Sequence, residues 1–174
     1  MDFCKEYNYL IDENHIFKEI DYDTLIHLLD GFDTGLVMIG GPWCKNCQAV
    51  IKEVNEIGKR EGLDVIYHYD PKFINVFKEE DDLRNCSTLE IKLKYYALVE
   101  KIGFKSTELV TDTLIPKIHV PFFIAIRNGN CVGYYTAELI KDSSGFHKEG
   151  ELEDRTIEFV LALQNLISKI KIDK

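Results

Sequence analysis

No apolar run in this sequence approaches the length of a membrane span, and none follows a basic stretch at its start, which reads Met1-Asp2-Phe3-Cys4-Lys5-Glu6. The first absence leaves no candidate for a spanning helix and the second no pattern of a secretory leader, so a cytoplasmic protein without a membrane partner is expected. Positive charge is also scarce. Lys and Arg number 21 against 30 Asp and Glu, a formal net charge of −9 with a pI near 5.0, which argues against nucleic acid or an anionic bilayer as the main partner. Cysteines are few and odd in number, five in all, and only Cys44 and Cys47 share a meaningful spacing. That excludes a secreted disulfide framework. With Cys86, Cys131 and the five histidines scattered, and no second C-x-x-C or C-x-x-H, it leaves no zinc ligand set either, so neither a metal nor a separate cofactor is expected.

What remains is enough for an enzyme-sized fold. The 174 residues, 45% hydrophobic and 11% aromatic, can bury a real core, and the length suits a single domain, 1–174, with one elaboration. Its centre is Gly40-Gly41-Pro42-Trp43-Cys44-Lys45-Asn46-Cys47. Before it, Leu36-Val37-Met38-Ile39 reads as a buried strand; after it, Val50, Ile51, Val54 and Ile57 recur at helical spacing between Gln48 and Arg60. A C-x-x-C thus stands at a strand-to-helix junction. The unpaired N–H groups and positive dipole end of a first helical turn favour a thiolate at Cys44. Cys47, one turn on, lies within reach, so the two can act as attacking and resolving thiols.

Residues 1–14 show no clear period and read as a lead-in. Ile16–Ile20 reads as a first strand, Asp21 or Asp23 as the cap of a short helix through Leu29, and Leu63–Tyr69 as a third strand closed by Asp70-Pro71. Residues 15–70 are therefore β-α-β-α-β, with the central strands parallel. Residues 71–118 read as a helical insertion. Phe73, Val76 and Phe77 suggest one helical face, and Glu79-Glu80-Asp81-Asp82 a solvated helix end. Ser87 with Glu90 forms a capping-box pattern ahead of the stripe Ile91, Tyr95, Leu98 and Ile102, which Gly103 stops. From 119 to 170 the reading is a β-hairpin and a last helix. His119-Val120-Pro121 leads into Phe122–Ile126, then Arg127-Asn128-Gly129-Asn130 turns into Cys131–Tyr135. Pro121 removes a ladder donor, so the backbone there should be irregular, a cis bond being one option. A polar loop over 138–151 precedes a helix from about Glu153 to Ile170, with Phe159, Leu163, Leu166 and Ile170 facing the sheet. Tyr67, Tyr69, Tyr95, Tyr96, Tyr134 and Tyr135 read as core or strand-face packing rather than a base-stacking platform.

The order strand, Trp43-Cys44-Lys45-Asn46-Cys47, helix, strand, Val120-Pro121, Asn128-Gly129 hairpin and last helix resembles the thioredoxin superfamily over roughly residues 15–170. The insertion and the long loop are, more loosely, similar to the bacterial branch that includes bacteriocin-transport accessory proteins. The resemblance implies a thioredoxin-like α/β fold, a central mixed sheet flanked by helices. It also implies a thiol–disulfide oxidoreductase with Cys44 as nucleophile, Cys47 as resolving thiol and Pro121 as a cis-proline facing them. Val120 would pair through its backbone with a protein disulfide substrate, Trp43 would line the site, and an upstream thiol reductase would reset the pair.

Two departures from the family pattern matter. Lys45-Asn46 stands where thioredoxins have Gly-Pro, and a lysine beside the thiol is expected to favour the thiolate and give a couple less reducing than thioredoxin's, about −270 mV. Met38 stands where thioredoxins carry a buried aspartate, and the matching lysine on the next strand is missing around Val65 and Ile66. His119, two residues before Pro121, is the candidate by proximity for the missing proton handling, against a purely structural histidine. The alternative function is a non-catalytic thioredoxin-like binding or accessory protein.

Overall fold

Leu36–Ile39 and Phe122–Ile126 are apolar at every position because they form the middle of a sheet covered on both faces. In the computed structural model, which describes residues 1–72, 88–136 and 153–171 (of 153–156 the backbone only), the five strands lie in the order β1-β3-β2-β4-β5. These are β1 (Phe17–Ile20), β2 (Gly35–Ile39), β3 (Ile66–Tyr69), β4 (Phe122–Arg127) and β5 (Asn130–Thr136). β3 runs parallel to both β1 and β2, and β4 runs antiparallel to β2 and β5, so the sheet is mixed. The helices are α1 (Phe3–Glu6), α2 (Tyr22–Asp30), α3 (Lys45–Arg60), α4 (Leu89–Ile102) and α5 (Glu153–Ser168). The molecule is thus an α/β protein with a mixed five-stranded sheet flanked by helices.

Strand alternation sorts the core into two layers. Leu36, Met38, Ile66, Phe123 and Ala125 face α1, α3 and α5; Val37, Ile39, Tyr69, Phe122 and Ile124 face α2 and α4. The expected stripes fall on these layers: Val50, Ile51, Val54 and Ile57 of α3, Tyr95, Leu98 and Ile102 of α4, and Phe159, Leu163, Leu166 and Ile170 of the last helical segment are all buried. Local signals also fix the ends. Asp21 caps α2 by accepting from Thr24 N–H at 2.8 Å, and Gly103 ends α4 in the left-handed region at φ 71°. The β4–β5 turn places Asn128 and Gly129 at φ 50° and 76°. Any Cβ at Gly129 would sit 1.7 Å from the Gly31 carbonyl oxygen, so this close approach admits only glycine.

Several sequence readings are corrected. The 1–14 segment is no loose lead-in: Phe3, Tyr7 and Leu10 are buried in the α3 layer, and Asp12 ties the segment to Lys59 and Asn55 of α3. The α4 cap is Thr88, which accepts from Ile91 N–H at 3.2 Å, one residue beyond the expected Ser87. Leu63–Val65 precede β3 rather than belonging to it. Tyr69 and Tyr95 are buried and Tyr134 packs on the strand face, stacked on Phe122, as expected, but Tyr96 is exposed. Phe73, Val76, Phe77, the acidic run 79–82, Cys86, Ser87 and the 138–151 loop lie outside the described residues. No described helix is long and apolar enough to cross a membrane.

Candidate active site

The chain leaves β2 at Ile39 and starts α3 at Lys45, and Cys44 is the residue that caps the helix, with extended backbone at φ −93° and ψ 120°. Its Sγ accepts the Cys47 N–H at 3.3 Å, a bond normally made by a serine or aspartate oxygen at this position. Cys47 is fully buried on the sheet side of the first turn, and Cys44 is partly open; both are free thiols. Gly40 makes room for this: a Cβ there would lie 2.6 Å from Cys47 Sγ. Across the site the Val120–Pro121 peptide is cis, and the Val120 carbonyl faces Cys44, accepting its thiol at 3.8 Å.

The two thiols are driven apart in acidity. A hydrogen bond from the Cys47 thiol, aided by the backbone N–H groups of Cys47 and Asn46, lowers Cys44 to about 7 against the opposing effect of burial. Burial first, and then the bond to Cys44, push Cys47 well above the ordinary cysteine range. Lys45 is exposed, and its ammonium is not the cause of the lowering; the charge-stabilising role expected of it falls to the helix terminus and the partner thiol. An open thiol half ionised near neutrality beside a buried protonated one can attack a disulfide and then be displaced from it. Alkylation by iodoacetamide should therefore follow a titration near pH 7 at Cys44 and spare Cys47. At pH 7 Cys44 carries roughly 15-fold more thiolate than an ordinary cysteine of pKa 8.5; peptide mass spectrometry across pH 5–9 reads both sites.

Trp43 lines the opening, its indole N–H donating to Asp70 Oδ1 at 2.9 Å. Asp70 also accepts from Lys72 N–H at 2.8 Å, and its carboxyl is raised by burial, partly offset by the Trp43 bond. The sequence marked Asp70 only as a strand stop. His119 pairs with an acid rather than with a thiol: its Nε2 meets Glu108 Oε2 at 2.7 Å, with Lys117 on the other oxygen. The group that sequence reasoning missed lies in the same buried layer as Cys47. His68 pairs with Met38 across β2–β3, on the same face as Cys47, and Tyr7 Oη meets its Nε2 at 2.7 Å. Among the described residues no group of three or more His, Cys, Asp or Glu is arranged to hold a metal ion. No protein-family model matches the chain, and no curated protein matches its sequence.

Proposed function

We propose that this chain is a thiol–disulfide oxidoreductase of thioredoxin-like fold that reduces or exchanges protein disulfides through Cys44 and Cys47. One observation carries the reading: Cys44, lowered to about 7 at a helix N-terminus, opens toward the Val120 carbonyl while Cys47 waits buried and protonated behind it. The Cys44 thiolate attacks a substrate disulfide; a mixed disulfide forms, and the other substrate sulfur leaves as a thiolate. Cys47 then attacks Cys44 Sγ, closing the Cys44–Cys47 bond and releasing the second substrate thiol. Trp43 and the backbone at Val120 and Pro121 orient an extended substrate segment by strand-like pairing. A thiol reductase of a reducing compartment returns the pair to the dithiol.

The reading is tested by equilibrating the protein in glutathione buffers of graded potential and following the fluorescence of Trp43, the sole tryptophan. A single two-electron transition is expected. Its midpoint, read against thioredoxin's of about −270 mV, decides whether the Lys45-Asn46 pair gives the less reducing couple expected from the sequence. Absence of any transition, with Cys44 and Cys47 unreactive on thiol counting, would leave the binding-protein reading in its place.

A further inference from the structure

Resolution of a mixed disulfide requires Cys47 to lose a proton inside an apolar layer, where burial strongly opposes the bare thiolate. Met38, on the strand behind it, offers no acceptor. The neighbouring position on β3 does. His68 is fully buried, its Nδ1 has no hydrogen-bond partner, and its Nε2 lies 2.7 Å from Tyr7 Oη. Such an orphan is uncommon in a buried layer, where most polar atoms find a hydrogen-bond partner.

Tyr7 is held against the first turn of α3 by the residue that follows Cys47. The Gln48 carboxamide donates to Glu6 O at 2.9 Å and to Pro42 O at 2.8 Å, and accepts from Asn8 N–H at 2.9 Å. It therefore clamps both sides of Tyr7 to the active-site loop. Phe3, Phe17 and Tyr7 rings enclose the imidazole. We propose that this Tyr7–His68 pair, clamped by Gln48, is the proton acceptor through which Cys47 is ionised when the mixed disulfide is resolved. The proposal rests on the oxidoreductase reading above and assigns the proton route of its second step.

The tautomer follows from counting hydrogens. With the ring hydrogen on Nε2, both the Tyr7 hydroxyl hydrogen and the Nδ1 lone pair go unmatched; with it on Nδ1, only that one N–H does. Tyr7 O–H therefore donates to Nε2. As Cys47 Sγ attacks Cys44 Sγ, its proton passes to Tyr7 Oη and the Tyr7 proton passes to Nε2. The Cys44–Cys47 bond forms as the bond from Cys44 to the substrate sulfur breaks, and that sulfur leaves with the electron pair. The substrate thiolate then gains a proton and His68 loses one through solvent, so atoms and charge balance. Burial lowers His68 to about 4, which keeps its acceptor nitrogen free at neutral pH; the charge developing on Cys47 acts on Tyr7, which stands between them in the relay. The charged groups that act on the pair are Cys44 and Cys47 from α3, Asp70 after β3, Glu6 of α1, Glu19 of β1 and the amino terminus.

The test uses the full chain and dithiobis(nitrobenzoate), whose first equivalent of nitrothiobenzoate reports attack by Cys44 and whose second reports closure by Cys47. Tyr7→Phe keeps the ring and removes the relay; His68→Gln keeps a partner for Tyr7 but accepts no proton. Both should leave the first phase unchanged and slow the second about 100-fold, within the usual range for loss of a general base. Closure in both variants should also become proportional to hydroxide, rising about tenfold per pH unit where the wild type stays flat. Closure at the wild-type rate and pH profile in both variants overturns the proposal. So does wild-type behaviour of His68→Gln alone, which would reduce the pair to a structural tie. A slow phase in Asp70→Asn but not in Tyr7→Phe would assign the proton to the Trp43-bound carboxylate instead. If the wild type never releases the second equivalent, the oxidoreductase reading itself fails.

Discussion

Cys44→Ser is expected to abolish disulfide reduction, and Cys47→Ser to abolish turnover while leaving the first attack intact. The asymmetry follows from placement. Cys44 is the open thiol at the helix terminus, lowered to about 7, and Cys47 is buried and raised well above the ordinary range. A serine hydroxyl at Cys44 ionises far above neutrality and forms no disulfide, so no adduct can accumulate. A serine at Cys47 cannot displace the substrate, so the mixed disulfide on Cys44 should persist until an external thiol cleaves it. Reduction of a disulfide-linked model protein by dithiothreitol, followed by precipitation of the released chain, measures the first; intact mass spectrometry of the trapped adduct measures the second. Residual turnover in Cys44→Ser comparable to the wild type, or adducts on Cys47 in place of Cys44, would reverse the assigned roles. Partner binding that survives Cys44→Ser in a wild type without turnover would favour the accessory-protein alternative.

Much of the frame around these thiols was legible because it is written in local signals. β2 and β4 are continuous apolar runs since both faces are covered, α3 carries its stripe one turn after Cys47, and the Asn128-Gly129 pair demands a turn with positive φ. What was hidden depends on long-range juxtaposition. Phe3, Tyr7 and Leu10 do recur at helical spacing, but over so short a stretch, and among so many polar residues, that no period stands out. Their burial is decided by Gln48, Asn55 and Lys59, some 40 positions along the chain. His68 looked like one residue of a strand; its meaning comes from the register that sets it beside Met38 and under Tyr7. Lys45 misled in the opposite direction. Proximity in sequence suggested an electrostatic role, whereas its side chain is exposed and the Cys47 thiol, aided by the backbone N–H groups of Cys47 and Asn46, carries the effect.

Phe123→Ala should be the most destabilising single exchange in the sheet, about 3–5 kcal/mol. Phe123 is fully buried on β4, opposite Met38 on one side and Tyr135 on the other, with its ring 5.9 Å from Phe159 and 6.4 Å from Tyr135. Those neighbours are held by the ladders of β2 and β5 and by α5, so they cannot close over the void; the loss is transfer free energy plus an unrelaxed cavity. Against a total stability of roughly 5–15 kcal/mol, that is a large fraction. The midpoint of thermal unfolding of the reduced protein should fall by about 10 °C, at roughly 2–4 °C per kcal/mol for a chain of this size. Leu114, 89% exposed, provides the contrast: Leu114→Ala removes a comparable aliphatic bulk from a site already in water and should change stability by no more than about 0.5 kcal/mol. Equal losses in the two variants would mean that Phe123 is not enclosed, and with it the layer that buries Cys47 and His68 would lose its foundation.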